Sequence, residues 1–190
     1  MRKVILFIAS SLDGYIARAN GGIDWLFSDQ NYGYTEFFAG IETVLMGRLT
    51  YEQALTFGEY PYKDTQGFVF SRTRGGKRDE YVTFIGSEPG PFIQEMRNGT
   101  GNLPAGQAGA IWLVGGSKII QSCMTHDVID EYVISIHPVL LGEGIPLFCS
   151  PFPQTGLALQ NCRTFDTGLV QITYSRRPAP NPADQRARAA

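Results

Sequence analysis

Two stretches of this chain end an apolar run in glycine and pass at once into helix-forming residues. They are Val44-Leu45-Met46-Gly47-Arg48-Leu49-Thr50-Tyr51-Glu52 and Trp112-Leu113-Val114-Gly115-Gly116-Ser117-Lys118. The chemistry they offer is anion binding. A helix N-terminus presents unpaired N–H groups and the positive end of its dipole, and glycine lets the backbone approach a ligand with no Cβ between. Arg48 adds a guanidinium suited to a bidentate phosphate contact, and Thr50 with Gln53 has capping-box spacing for the helix start. Two such corners in one domain would hold the two ends of a dinucleotide, although the same junction also serves as plain α/β structure. Neither G-x-G-x-x-G after the first strand nor G-x-x-x-x-G-K-[ST] occurs, which leaves the Rossmann and P-loop routes without support.

Other chemistry-bearing residues are fewer. Asp13 follows the first apolar run, where an open α/β sheet places ligand contacts, and a plain turn aspartate before glycine is the alternative. Trp25 would wall a substrate cleft or pack in the core. Glu143, between Gly142 and Gly144, shapes a turn. The three cysteines, Cys123, Cys149 and Cys162, form no C-x-x-C, and the two histidines, His126 and His137, are far apart, so no metal site is expected. Cys123 reads as a buried thiol and His137 as structural or at a rim.

The elements that must position these residues alternate between strand and helix. Residues 3–9 form a strand ended by a polar Ser-Ser-Leu-Asp-Gly turn, and Tyr15 to Ala17 a hairpin arm closed by Asn20-Gly21-Gly22. Residues 33–40 read as helix with Phe37 and Phe38 inward, Thr43 to Met46 as strand, 50–56 as a short helix, and Gly67 to Ser71 and Tyr81 to Ile85 as strands. Pro91 falls in the first turn of a helix carrying Phe92 and Met96, and Asn98 to Gly109 is a surface loop. Ile111 to Val114 is a central strand, followed by a helix with Ile119, Ile120, Cys123 and Met124 on one side, then the strand Glu131 to Ile136. Strands near 157–164 and 169–175 close an antiparallel hairpin through Asp166-Thr167-Gly168. The expected fold is α/β: a central, mostly parallel sheet with an antiparallel C-terminal hairpin and helices on both faces.

A chain of 190 residues, 43% hydrophobic and 18% charged, fits one folded domain. That domain is expected to cover 1–177, with 178–190 read as a disordered tail because it has nothing to bury. A net charge of −2 offers no face for a nucleic-acid backbone. The apolar stretch Val4 to Ala9 is too short to span a bilayer and is not followed by a cleavage region, so a cytoplasmic protein is expected.

Five segments occur in the order of a known family: Ser11-Leu12-Asp13-Gly14-Tyr15-Ile16-Ala17, Met46-Gly47-Arg48-x-Thr50-Tyr51, Ser71-Arg72, Leu113-Val114-Gly115-Gly116, and Pro138-Val139-Leu140-Leu141-Gly142-Glu143-Gly144-Ile145-Pro146-Leu147-Phe148. Over roughly residues 3 to 175 the chain resembles the dihydrofolate-reductase-like superfamily, in the branch of the riboflavin-biosynthesis reductase domain. The resemblance implies an NADPH-dependent reductase and a homodimer; charge, motifs and the short apolar run lead us to expect no nucleic-acid or membrane partner. It places Gly47, Arg48 and Thr50 at one end of the dinucleotide phosphates, Ser71 and Arg72 at the ribose 2′-phosphate, and Gly115, Gly116, Ser117 and Lys118 at the pyrophosphate. Ala9 and Val114 join these as cofactor contacts, and the Gly115–Gly116 peptide is expected to be cis. Asp13 and Tyr34 are the candidate catalytic residues, water being the other proton source. Asp13, Trp25, Tyr34 and Phe38 are the candidate substrate contacts. Val114 stands where the riboflavin reductases carry an acid. The implied activity is reduction of a pterin- or pyrimidine-like heterocycle, such as 5-amino-6-(5-phosphoribosylamino)uracil, or of a carbonyl or imine compound. The alternative is a non-catalytic NADP(H)-binding module acting as sensor or assembly partner. The apolar run Leu140 to Phe148 would be covered by a second subunit or by its own core.

Overall fold

Apolar residues alternate along the central strands so that each strand feeds two cores. In β1 (Val4–Ser11), Val4 and Leu6 enter one buried cluster and Phe7 packs on the other. In β6 (Ala110–Gly115), Ile111 and Leu113 share the first cluster, while Trp112 belongs to the second. Such two-faced burial is the signature of a parallel sheet covered on both sides. The computed structural model describes residues 1–99 and 109–177.

The eight-stranded sheet also contains β3 (Ile41–Gly47), β4 (Gln66–Phe70), β5 (Val82–Ile85), β7 (Glu131–His137), β9 (Leu157–Thr164) and β10 (Val170–Arg176), in the order β5-β4-β3-β6-β1-β7-β10-β9. Pairing is parallel from β5 through β7 and antiparallel in the terminal hairpin β10–β9. Helices α1 (Tyr34–Phe38) and α2 (Arg48–Ala54) lie on one face, with Phe37, Phe38, Tyr51 and Ala54 at the second cluster. Helices α3 (Pro89–Asn98) and α4 (Ser117–Thr125) lie on the other, where Ile93, Met96, Ile120 and Cys123 are buried. The expected fold class is the observed one. Cys123 is fully buried, which pushes its thiol up to about 12.

Two local expectations are corrected. The arm β2 (Tyr15–Ala17) does not pair within its own hairpin; it pairs antiparallel with β8 (Ile145–Pro146), while Asn20-Gly21-Gly22 closes a separate turn. Helix α2 starts at Arg48 directly after an extended Gly47 (φ −78°, ψ 158°), with no side-chain cap. Thr50 is therefore already inside the first turn, and no capping box forms with Gln53, whose side chain instead donates to the Gly21 carbonyl at 3.0 Å. The expected surface loop falls outside the described residues between 100 and 108, as does the tail from Pro178. No helix among the described residues is long and apolar enough to cross a membrane.

Candidate active site

Strands β3 and β6 are neighbours and parallel, yet their following helices leave toward opposite faces, α2 over the second cluster and α4 over the first. Such a switch point opens a crevice at the carboxyl ends of the strands. Both glycine corners meet there. A Cβ on Gly47 would stand 3.9 Å from the Gly115 carbonyl oxygen, and one on Gly116 would stand 3.6 Å from Thr50 Oγ1. The Gly115–Gly116 peptide is cis, as the resemblance implies.

At the start of α4 the Ile119 and Ile120 amides donate to the Gly116 carbonyl, so the Ser117 and Lys118 amides precede the helical ladder and have no intrahelical acceptors. The Ser117 hydroxyl is buried and donates to the Pro146 carbonyl, which leaves its amide as the group on offer. Lys118 is exposed. Ser71, the residue after β4, is buried, and Arg72 beside it is exposed. Ala9 and Val114, both half-buried, share the α1–α2 side with Phe7 and Trp112. An amide-lined corner, a glycine with no Cβ in the way and cationic side chains just beyond the ends of three neighbouring strands fit the phosphates of a dinucleotide.

Arg48 is not idle. Its Nη1 donates to both carboxylate oxygens of Glu52, at 2.8 and 2.7 Å, and Arg74 Nη2 reaches the same carboxylate at 3.5 Å. Glu52, absent from the sequence-based candidates, carries a signal in its i,i+4 spacing from Arg48. Arg74 has none, since its approach depends on β4 lying beside β3.

The residues assigned to chemistry are more scattered. Asp13 accepts hydrogen bonds from the Ser11 hydroxyl at 2.6 Å and from the Leu141 and Gly142 amides at 3.0 and 2.7 Å. Led by the Ser11 bond, these hold its carboxyl below the ordinary value. A carboxylate kept ionised is a poor proton donor, so the bonding opposes the expected acid role. Tyr34 is half-buried, stacks on Phe38 at 5.4 Å and meets Trp112 edge-on at 5.9 Å; burial raises its phenol. Trp112 itself lies three positions before Gly115, about 10 Å along the strand. Trp25 is only 8% exposed, edge-on to His137 at 5.2 Å, which matches the core-packing alternative. His137 is buried and its Nε2 accepts from the Phe27 amide at 3.2 Å; desolvation lowers its pKa, keeping it neutral and structural.

A profile of the RibD C-terminal domain matches residues 101–171. The uncharacterised protein YwjB of Bacillus subtilis (strain 168) is 37% identical over 179 residues, 92% of this chain and 98% of that protein. YyaP of the same organism is 35% identical over 188 residues, 91% of this chain and 94% of that one. Among solved structures, a Shewanella sp. PV-4 protein named for riboflavin biosynthesis superposes with TM-score 0.77 at 29% identity, covering 93% of this chain and 99% of its own. A Thermotoga maritima diaminohydroxyphosphoribosylaminopyrimidine deaminase/5-amino-6-(5-phosphoribosylamino)uracil reductase shares the fold, with TM-score 0.66 at 15% identity over 93% of this chain and 57% of its own. With near-complete coverage of such relatives, the chain belongs to the reductase-like RibD C-terminal domain family and carries a dihydrofolate-reductase-like fold.

Proposed function

We propose that the protein is an NADPH-dependent reductase acting on a small pterin- or pyrimidine-like heterocycle, or on a carbonyl or imine compound. The observation that carries this reading is the meeting of the Gly47 and Gly115–Gly116 corners at one switch point. When bound, the nicotinamide supplies the hydride. The chain's part is to orient. The Ser117 and Lys118 amides take the pyrophosphate, and Arg48 with the Ser71–Arg72 strand end takes the 2′-phosphate. Asp13 holds the neighbouring loops in place, and the substrate proton comes from Tyr34 or from water. Holding both reactants in contact contributes on the order of 7 kcal/mol to the acceleration at best. Titration with NADPH followed by a turnover screen over pterins, pyrimidines, quinones and simple carbonyls tests this. Cofactor oxidation with any class supports the reductase.

The second reading, a non-catalytic NADP(H)-binding module, is favoured by one observation. Asp13 spends its carboxylate on the 141–142 amides while Val114 offers no acid. Tight NADPH binding with no oxidation across the panel selects it.

We also propose a homodimer. Ile145 and Pro146 are occupied by β2 and Leu147 is buried in its own core, but Leu140, Phe148, Phe152 and Leu159 in the C-terminal half remain 38–69% exposed. A second subunit over the C-terminal half would cover them.

A further inference from the structure

Two guanidinium groups converge on one carboxylate at the carboxyl ends of β3 and β4. Arg48 reaches Glu52 across one turn of α2, and Arg74 reaches it from the segment after β4. The Arg74 guanidinium lies over the Phe84 ring, 5.4 Å from its centroid, which fixes its approach. The next acid along, Asp79, is engaged elsewhere: it accepts from the Tyr51 hydroxyl at 2.7 Å and from the Tyr81 and Val82 amides. Glu52 is thus the carboxylate that faces both arginines, and all three side chains are 35–46% exposed. The trio keeps one positive charge in excess and stands open to solvent.

We propose that Glu52 is a built-in competitor for a phosphate monoester, and that this carboxylate sets how strongly the site prefers a phosphorylated dinucleotide. A phosphate dianion carries more charge and more acceptor oxygens than a carboxylate, so it takes over the two guanidiniums. Glu52 has a flexible stem and partial exposure, so it turns into water when displaced. Its charge nevertheless remains close by and opposes the incoming dianion. The opposition is larger for a dianionic monoester than for the singly charged phosphodiester units of a pyrophosphate. Glu52 therefore weakens NADPH more than NADH, holding down a preference that Arg48 and Arg74 would otherwise make larger. This inference rests on the reading of the protein as an NADPH-binding reductase.

Dissociation constants for NADPH and NADH, measured by nicotinamide fluorescence on the wild type, E52Q, R74Q and the double variant, test it. Thermal melting confirms that each variant is folded. E52Q is expected to bind NADPH about 5-fold more tightly while NADH changes less than about 2-fold. R74Q is expected to weaken NADPH about 10-fold, and E52Q to tighten NADPH in that background as well, since the Glu52 charge still opposes the dianion and holds Arg48. Weaker or unchanged NADPH binding by folded E52Q overturns the inference, because Glu52 would then only position Arg48. An equal gain for both dinucleotides overturns it too, by moving the effect to the pyrophosphate. If the wild type binds neither dinucleotide, the reductase reading falls and takes this inference with it. NADPH binding that ignores the Glu52 charge defeats the inference alone.

Discussion

Asp13 Oδ2 accepts a hydrogen bond from the Gly142 amide at 2.7 Å, joining loops 129 residues apart in the chain. The contact is one of several between these segments. The Leu12 amide donates to the Val139 carbonyl at 2.9 Å, the Leu147 amide to the Gly14 carbonyl at 2.8 Å, and β2 pairs with β8. The Ser11–Ala17 and Pro138–Phe148 segments are two halves of one clasp over the end of β1, and Asp13 supplies its charged bond.

Asp13→Asn should loosen that clasp. The folded-state pKa of Asp13 lies below its unfolded value, so its contribution is present at neutral pH, above the unfolded pKa, and is lost as pH falls through the lowered folded value. The melting temperature of D13N should fall below that of the wild type at pH 7, and the gap should close in strong acid. A gap that stays constant with pH would show that the carboxylate charge is not what holds the loops.

Gly116→Ala should separate binding from folding. Gly116 has φ −78°, which alanine adopts, and its added Cβ would meet Thr50 Oγ1 at an ordinary 3.6 Å. The melting temperature should move by no more than about 3 °C. NADPH affinity should drop by about tenfold or more, because the methyl fills the space where backbone meets phosphate. Unchanged affinity would remove Gly116 from the cofactor site. Gly144→Ala is the contrasting case. At φ +157°, with its Cβ directed at the Ala17 carbonyl, it should destabilise the protein by about 1–3 kcal/mol.

NADPH should bind at least about tenfold more tightly than NADH, since a charge-assisted contact contributes about 1.5–3 kcal/mol. Arg72→Ala should narrow that preference without altering NADH binding. Fluorescence titration with both cofactors gives the answer, and equal constants for the wild type would remove the 2′-phosphate site.

Light scattering at micromolar concentration should give about twice the 21.0 kDa chain mass. Leu159→Lys, at a residue 57% exposed on the sheet-edge strand β9, should shift the population toward monomer. A wild type of monomer mass would overturn the dimer. A dimer indifferent to lysine at Leu140, Phe148 and Leu159 alike would place its contact outside the C-terminal half.

Much of this architecture is local, and local features are legible in a sequence. Apolar runs that stop at Gly47 and at Gly115–Gly116, the α4 stripe of Ile120 and Cys123, and the hairpin around Asp166-Thr167-Gly168 are each set by a few adjacent residues. They sufficed to predict the fold class and both corners of the candidate site. Partners distant in sequence were another matter. Nothing near Tyr15 names Ile145 and Pro146 as its neighbours, and nothing near Asp13 shows that the 141–142 amides will saturate its carboxylate and hold it ionised. Trp25 went beneath His137 because β7 passes there, and Arg74 met Glu52 because β4 lies against β3. Periodicity and turn chemistry report which face a residue presents. Only the packing of distant strands decides what stands opposite it, and that decides charge, hydrogen bonding and access to a ligand.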